Sequence, residues 1–267
     1  MNLKISTEGK DGYIPLITRE KGLTKFIDFS LLRLKEKEES RRISLEEREA
    51  AVVILSGSCD VYTDSMKWEN LGDRSNVFGG AATALYFPPM SFFQIRARSS
   101  VEIAIAFAPA KEKTSHPTLI RPQDVSINKR GKSNWEREIH DIIMSNVQAE
   151  KLLVGETFNP PGNWSSYPPH KHDRNDPPYE YKLEEIYFFK IHPSQGFGIQ
   201  RIYSPQNNLD ELYLVKNNDL IVIPCGYHPV VAAPGYSLYY LWVLAGEKRE
   251  MKLRNDPEHE WINTLAI

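Results

Sequence analysis

The sequence predicts an all-β fold made of two tandem β-barrels or jelly rolls with a few short helices. Three observations predict it. Short segments rich in β-branched and aromatic residues recur along the chain, each bounded by turn residues. Helix signals are few. And one strand–turn–strand pattern occurs twice.

The strand segments are AAVVILSG (Ala50 to Gly57), ATALYFP (Ala82 to Pro88), VEIAIAFAP (Val101 to Pro109) and KLLVGETF (Lys151 to Phe158). EIYFFKI (Glu185 to Ile191), FGIQRIY (Phe197 to Tyr203), DLIVIP (Asp219 to Pro224) and YSLYYLWVLAG (Tyr236 to Gly246) follow. Three stretches carry helix signals. Ser44 to Arg48 has a capping-box look. Glu136 to Ser145 fits an amphipathic helix or a strand, because Ile139, Ile142 and Ile143 are helically spaced. Asp256 to Leu265 reads as a short final helix.

The repeat lays ALYFPPMSFFQIRA (Ala84 to Ala97) over LIVIPCGYHPVVAA (Leu220 to Ala233), offset by 136 residues, Pro224 minus Pro88. A further apolar strand follows each copy. We therefore expect an N-terminal barrel over residues 1–110, a connecting segment over 111–150 and a C-terminal barrel over 151–267. At the same offset His228 falls on Phe92, and residues 1–110 contain no histidine. The first copy is thus expected to lack metal chemistry and to give support and oligomer contact.

Composition narrows the class. Of 267 residues, 41% are hydrophobic and 25% charged, ordinary for a globular protein, and the net charge is −2. No basic block suits nucleic acid, and no helix-turn-helix pattern is present. No apolar run is long enough to span a bilayer. Two cysteines, Cys59 and Cys225, make no disulfide framework, and no signal peptide is visible at the start. A cytoplasmic enzyme or binding protein is expected.

Among seven histidines, three form a pattern. His170 and His172 stand in YPPHKHD, where an extended backbone would point both imidazoles to one face. His228 follows the strand DLIVIP in a Pro-Cys-Gly-Tyr-His turn. A carboxylate at the start of EIYFFKI would complete a three-histidine, one-glutamate site for one divalent ion. Zinc or manganese is the expected metal, with iron and nickel as alternatives. His116, His140, His192 and His259 are read as solvated or packed.

His-x-His, a glutamate opening an aromatic strand, and a Gly/Pro turn leading to a third histidine resemble the cupin superfamily. The glutamate stands farther from the histidines than is usual there, and Gly226 and His228 are one residue closer together. GNWSSYPPHKHD (Gly162 to Asp173), LEEIYFF, GYHPVVAAPGY and YLWVLAG resemble the 5-deoxy-glucuronate isomerase family of bicupins, which serves myo-inositol catabolism. LGDRSNVFGG (Leu71 to Gly80), FAPA (Phe107 to Ala110) and RGKSNWEREIHDI (Arg130 to Ile142) resemble it too.

The resemblance implies a bicupin fold and a metal-dependent aldose–ketose isomerisation of a small uronic acid. It implies His170, His172, Glu185 and His228 as metal ligands, Glu185 because related ketol-isomerases place the ligand glutamate directly before the aromatic strand. Glu180 and Glu184 stay open as alternatives. Tyr187, Tyr227, Tyr240 and Glu184 are the candidates to move the proton. Lys171, Arg174 and Arg201 are candidates to bind the substrate carboxylate, and Trp242 to line the pocket. Asn163 to Tyr167 would shape its mouth. The loop Asp173 to Lys182 would be a lid or wall. Cys225 is read as a small buried hydrophobe. A homo-oligomer is expected, as are neither nucleic-acid nor membrane partners. Rival readings are another cupin uronate isomerase, a cupin dioxygenase and a non-catalytic sugar-binding cupin.

Overall fold

A computed structural model describes residues 2–7, 9–111 and 116–265. The described residues form strands joined by turns and short 3-10 segments. None of their helices is long and apolar enough to cross a membrane.

The chain divides into two compact units. One comprises Glu8–Ser126 and Asp141–Val154, the other Met1–Thr7, Ile127–His140 and Gly155–Ile267. The first strand, Lys4–Ser6, pairs with Asp219–Ile223, which places the first residues in the second unit. Lys4 Nζ reinforces that edge with an ion pair to Asp219 at 2.8 Å.

In the first unit a six-stranded sheet runs Thr118–Ile120, Ala84–Phe87, Arg48–Ser56, Val101–Pro109, Asp28–Leu34, Gly12–Ile17. A four-stranded sheet runs Ile43–Ser44, Phe92–Ala97, Cys59–Tyr62, Lys67–Leu71. Alternate residues of both sheets, among them Val52, Ile54, Phe87, Phe93, Ile105 and Phe107, bury one hydrocarbon core. Phe87 and Phe93 stack at 4.6 Å. Glu49, on the other face of its strand, is fully buried. It accepts the N–H groups of Glu150 (2.6 Å), Lys151 (2.7 Å) and Leu152 (2.7 Å) and the Tyr86 hydroxyl (2.8 Å).

The large sheet, most of whose residues belong to the second unit, runs Lys4–Ser6, Asp219–Ile223, Leu183–His192, Ser237–Gly246, Leu153–Asn159, Arg137–Ile143, Ser126–Arg130. A smaller one runs Trp164–Ser165, Val230–Ala232, Phe197–Ser204, Leu209–Lys216. The repeat read from the sequence therefore appears as one strand order used twice. Ala84–Phe87, Arg48–Ser56 and Val101–Pro109 correspond to Asp219–Ile223, Leu183–His192 and Ser237–Gly246.

Register sharpens the comparison. Ala50 pairs with Phe87, and Glu185 pairs with Ile223. Phe87 and Ile223 are 136 residues apart, so Ala50 stands where the second unit has Glu185. Phe92, at the counterpart of His228, lies under the Arg42 guanidinium, 3.4 Å from its ring centre.

Of the three stretches with helix signals, one resolves to its strand alternative and one is no helix. Glu136 to Ser145 resolves as strand Arg137–Ile143, because it is paired on both sides within the large sheet. Ser44 to Arg48 is a turn between two strands, with Leu45 buried and Glu46 at a positive φ of 50°. The tail forms a short 3-10 helix at Glu260–Thr264.

Candidate metal centre

Strand Leu183–His192 presents Glu185, Tyr187 and Phe189 on one face, opposite Leu244, Trp242 and Tyr240 of the neighbouring strand. Glu184 lies on the other face. Near Glu185 the strand Asp219–Ile223 ends, and the turn after it carries His228.

That turn depends on Gly226, whose φ is +85° and whose added Cβ would sit 2.4 Å from the Tyr203 carbonyl oxygen. Its N–H donates to Asp173 Oδ2 at 2.8 Å, and its carbonyl meets His228 Nδ1 at 2.9 Å. His170 and Lys171 form a two-residue strand paired with Arg254–Asn255. His172 follows, its Nδ1 2.9 Å from the Leu183 carbonyl.

His172, Glu185 and His228 are buried, and one ligand atom from each lies within 4.8 Å of the others. Glu185 Oε2 is 3.1 Å from His172 Nε2 and 3.2 Å from His228 Nε2. His228 Nε2 is buried without a hydrogen bond. His170 does not enter this group, but its ring stands edge-on to that of His228 at 4.8 Å.

Burial alone would raise the Glu185 carboxyl, but the bond from His172 and the nearness of His228 hold it at about 2. His172 is raised: burial opposes its charged form, and its bond to Glu185 and that carboxylate's charge outweigh burial. His170 is drawn well below the usual imidazole range by burial first, then by the charges of His228 and His172.

Beyond the histidines lies a wall of hydroxyls. Tyr187 and Tyr240 stack at 4.2 Å. Their hydroxyls meet Ser166 Oγ at 2.8 Å and Ser165 Oγ at 2.9 Å. Burial holds both phenols protonated, above their ordinary range. Tyr227 stands apart from this wall. It bridges to Tyr203 with ring centres 5.1 Å apart, and Tyr203 donates to Asp256 at 2.5 Å. Trp242 is buried across the sheet from Tyr187 and packs on Gly155, where an added Cβ would meet its ring at 2.1 Å.

The three cations expected to meet a carboxylate are engaged elsewhere. Lys171 is buried, and its Nζ donates to Asp173 Oδ1 (2.7 Å) and to both oxygens of Glu180 (2.7 and 2.8 Å). Arg174 reaches Gln206 at 2.9 Å. Arg201 forks onto Asp210 through two bonds of 2.8 Å. Glu180, fully buried, also accepts the N–H groups of Asp173 and Arg174. The loop from Asp173 to Lys182 is therefore anchored through Glu180. Cys225 is half-buried, 3.6 Å from Asn207 Nδ2.

Sequence reading missed Arg137, whose half-buried guanidinium bonds the Tyr167 carbonyl at 3.1 Å. It also missed the carbonyls of Leu183 and Gly226 that orient two imidazoles. No sequence motif signals either.

Comparison with known proteins adds relatives to this geometry. The model of the KduI/IolB family matches residues 2–262. A protein of Geobacillus thermodenitrificans named 5-deoxy-glucuronate isomerase is 41% identical over 254 residues, 95% of this chain and 92% of that one. The crystal structure of an IolB-like protein from Salmonella typhimurium LT2 superposes with a TM-score of 0.95 at 33% identity, covering 98% of this chain and 100% of that one. An oxalate decarboxylase of Lactobacillus farciminis superposes with a TM-score of 0.68 at 14% identity, covering 99% and 91%. That last likeness shows the fold, which is bicupin.

Proposed function

The chain belongs to the KduI/IolB family, and from that premise we propose that this isomerase converts 5-deoxy-D-glucuronate to 5-dehydro-2-deoxy-D-gluconate, using one divalent metal ion. His172, Glu185 and His228 would hold the ion, with His170 turning in from its neighbouring position.

One observation carries the metal. The Leu183 and Gly226 carbonyls can only accept, so each facing Nδ1 carries a hydrogen. In the neutral ring, Nε2 then keeps its lone pair, and both Nε2 atoms converge on the Glu185 carboxylate. Three electron-rich atoms in a buried space call for positive charge. A proton answers for one histidine at a time, whereas a divalent cation answers for all three.

When bound, such an ion supplies a Lewis acid that stabilises the negative charge built on oxygen as a proton leaves the carbon beside a carbonyl. The protein's own groups do the rest. The stacked phenols of Tyr187 and Tyr240, fixed by Ser166 and Ser165, offer donors to sugar hydroxyls and a rigid wall for the substrate. Tyr187, whose ring lies 5.9 Å from that of His228, would pass a proton to or from a substrate oxygen. Positioned proton-transfer groups contribute ~10²–10⁴-fold.

The test measures metal content and isomerisation together in wild type, His228→Ala and Glu185→Gln. About one ion per chain, lost with turnover in both variants, is the expected result. Metal bound without isomerisation would remove the substrate assignment. A folded, metal-supplemented wild type that binds none would remove the centre. Oxygen consumption with iron would favour a dioxygenase.

A further inference from the structure

One cation beside this site has no anion. Arg137 opens strand Arg137–Ile143, and its Nη1 donates to the carbonyls of Tyr167 (3.1 Å) and Trp135 (3.3 Å). Its Nε is buried with no partner, and no bond is made by Nη2. Among the described residues no carboxylate comes within ion-pair distance of it. Another cation, Arg130, is close enough to oppose its charge, and burial opposes it more.

A guanidinium stripped of much of its water and left without a counter-charge is a costly arrangement. Its two carbonyl bonds occupy Nη1 alone. The Nε–Nη2 edge remains, and two parallel N–H donors on that edge match the two oxygens of a carboxylate.

The location suits a ligand at the centre. Tyr167 adjoins Ser166, whose hydroxyl meets Tyr187, and lies three residues before His170. The charge of Arg137 acts on Tyr187, Tyr240 and His170. The guanidinium thus stands by the hydroxyl wall, on the side of the site that Ser165 and Ser166 line.

We infer that Arg137 receives the carboxylate of the uronate substrate and so determines the enzyme's preference for an acid sugar over a neutral one. This rests on reading the site as that of a uronate isomerase. The alternative is a purely architectural role, in which Arg137 only ties down the Tyr167 carbonyl.

The two roles separate when charged and neutral sugars are compared. KM and kcat are measured for 5-deoxy-D-glucuronate and for 5-deoxy-D-glucose in wild type, Arg137→Met and Arg137→Lys. Binding of D-glucuronate and D-glucose to the same proteins is followed by calorimetry. Arg137→Met is expected to raise KM for the uronate about 10- to 100-fold and to leave the neutral sugar unaffected. Arg137→Lys keeps the charge without the fork, so its loss should be intermediate and again confined to the acid. Equal losses on both sugars, or none, would overturn the inference. If wild type turns over neither sugar, the isomerase reading fails on its own. The calorimetric preference for glucuronate, present in wild type and abolished in Arg137→Met, would still support Arg137 as the carboxylate receptor. No such preference in wild type would overturn it.

Discussion

Replacing Lys171 by Met should weaken the protein and its metal centre without a selective effect on binding of the acid sugar. Lys171 lies between the two histidines of the His-x-His pair, yet its ammonium makes three bonds of 2.7–2.8 Å to Asp173 and Glu180. Their side chains are 8% and 0% exposed. Losing one partner of a buried ion pair costs ~3–5 kcal/mol. Here the remaining N–H donors to Glu180 offset part of that, while Arg254, at 3.7 Å and partly exposed, offsets little. We therefore expect a loss of about 3 kcal/mol, seen as a fall of up to ~1 M in the urea midpoint of a chain this size. The lysine also joins the two ligand loops, since Asp173 passes its other oxygen to the Gly226 N–H. Loss of such support typically costs ~10–100-fold in metal affinity. Urea unfolding, a metal titration and KM per metal-loaded site would be measured on the same sample. Unchanged stability and metal affinity with a KM raised tenfold for the uronate alone would refute this reasoning and make Lys171 a substrate cation.

Three further outcomes follow from the structure. Gly226→Ala should destabilise the protein by at least ~1–2 kcal/mol through its left-handed backbone alone, with more from the Cβ placed 2.4 Å from Tyr203 O, and should lower metal content; thermal melting and metal analysis check both. Burial pushes the Cys59 thiol up to about 12, so alkylation of the native protein at pH 8 should label Cys225 first, and labelling of Cys59 at an equal rate would contradict its placement. Burial would raise Asp60, but bonds from Arg98, the Asn70 N–H and Tyr62 more than offset this and hold it below its usual value. A depressed carboxylate adds stability above its unfolded value of ~3.9 and loses it as pH falls through the folded one. Unfolding measured between pH 2 and 6 should thus show a steeper acid loss in wild type than in Asp60→Asn.

Much of the architecture was legible because each strand carries its own periodicity. The limits are instructive. Ile139, Ile142 and Ile143 fit a helix and a strand equally well, and only pairing on both sides decides for the strand. Lys4–Ser6 carries no mark of its partner some 215 residues on, since pairing of distant segments leaves no local pattern. At the centre, the histidines announce themselves by spacing. The facing of Glu185 toward His172 rather than Glu184 follows from register with Ile223 and Leu244. A lysine beside two histidines suggests a ligand, but two carboxylates folded over from the loop claim it. No motif marks Arg137, which becomes half-buried only because it opens a strand of the large sheet.

The pairing of Lys4–Ser6 with residues 219–221 also bears on synthesis. At ~5–20 residues per second the first strand waits roughly 10–40 s for its partner to be made. All segments of the first unit, the last being Asp141–Val154, have by then been made, so that unit can fold while the opening strand is still unpaired. A nascent chain stalled far enough beyond Val154 for that residue to have cleared the ribosome is the place to look for one folded unit with Lys4–Ser6 still unpaired.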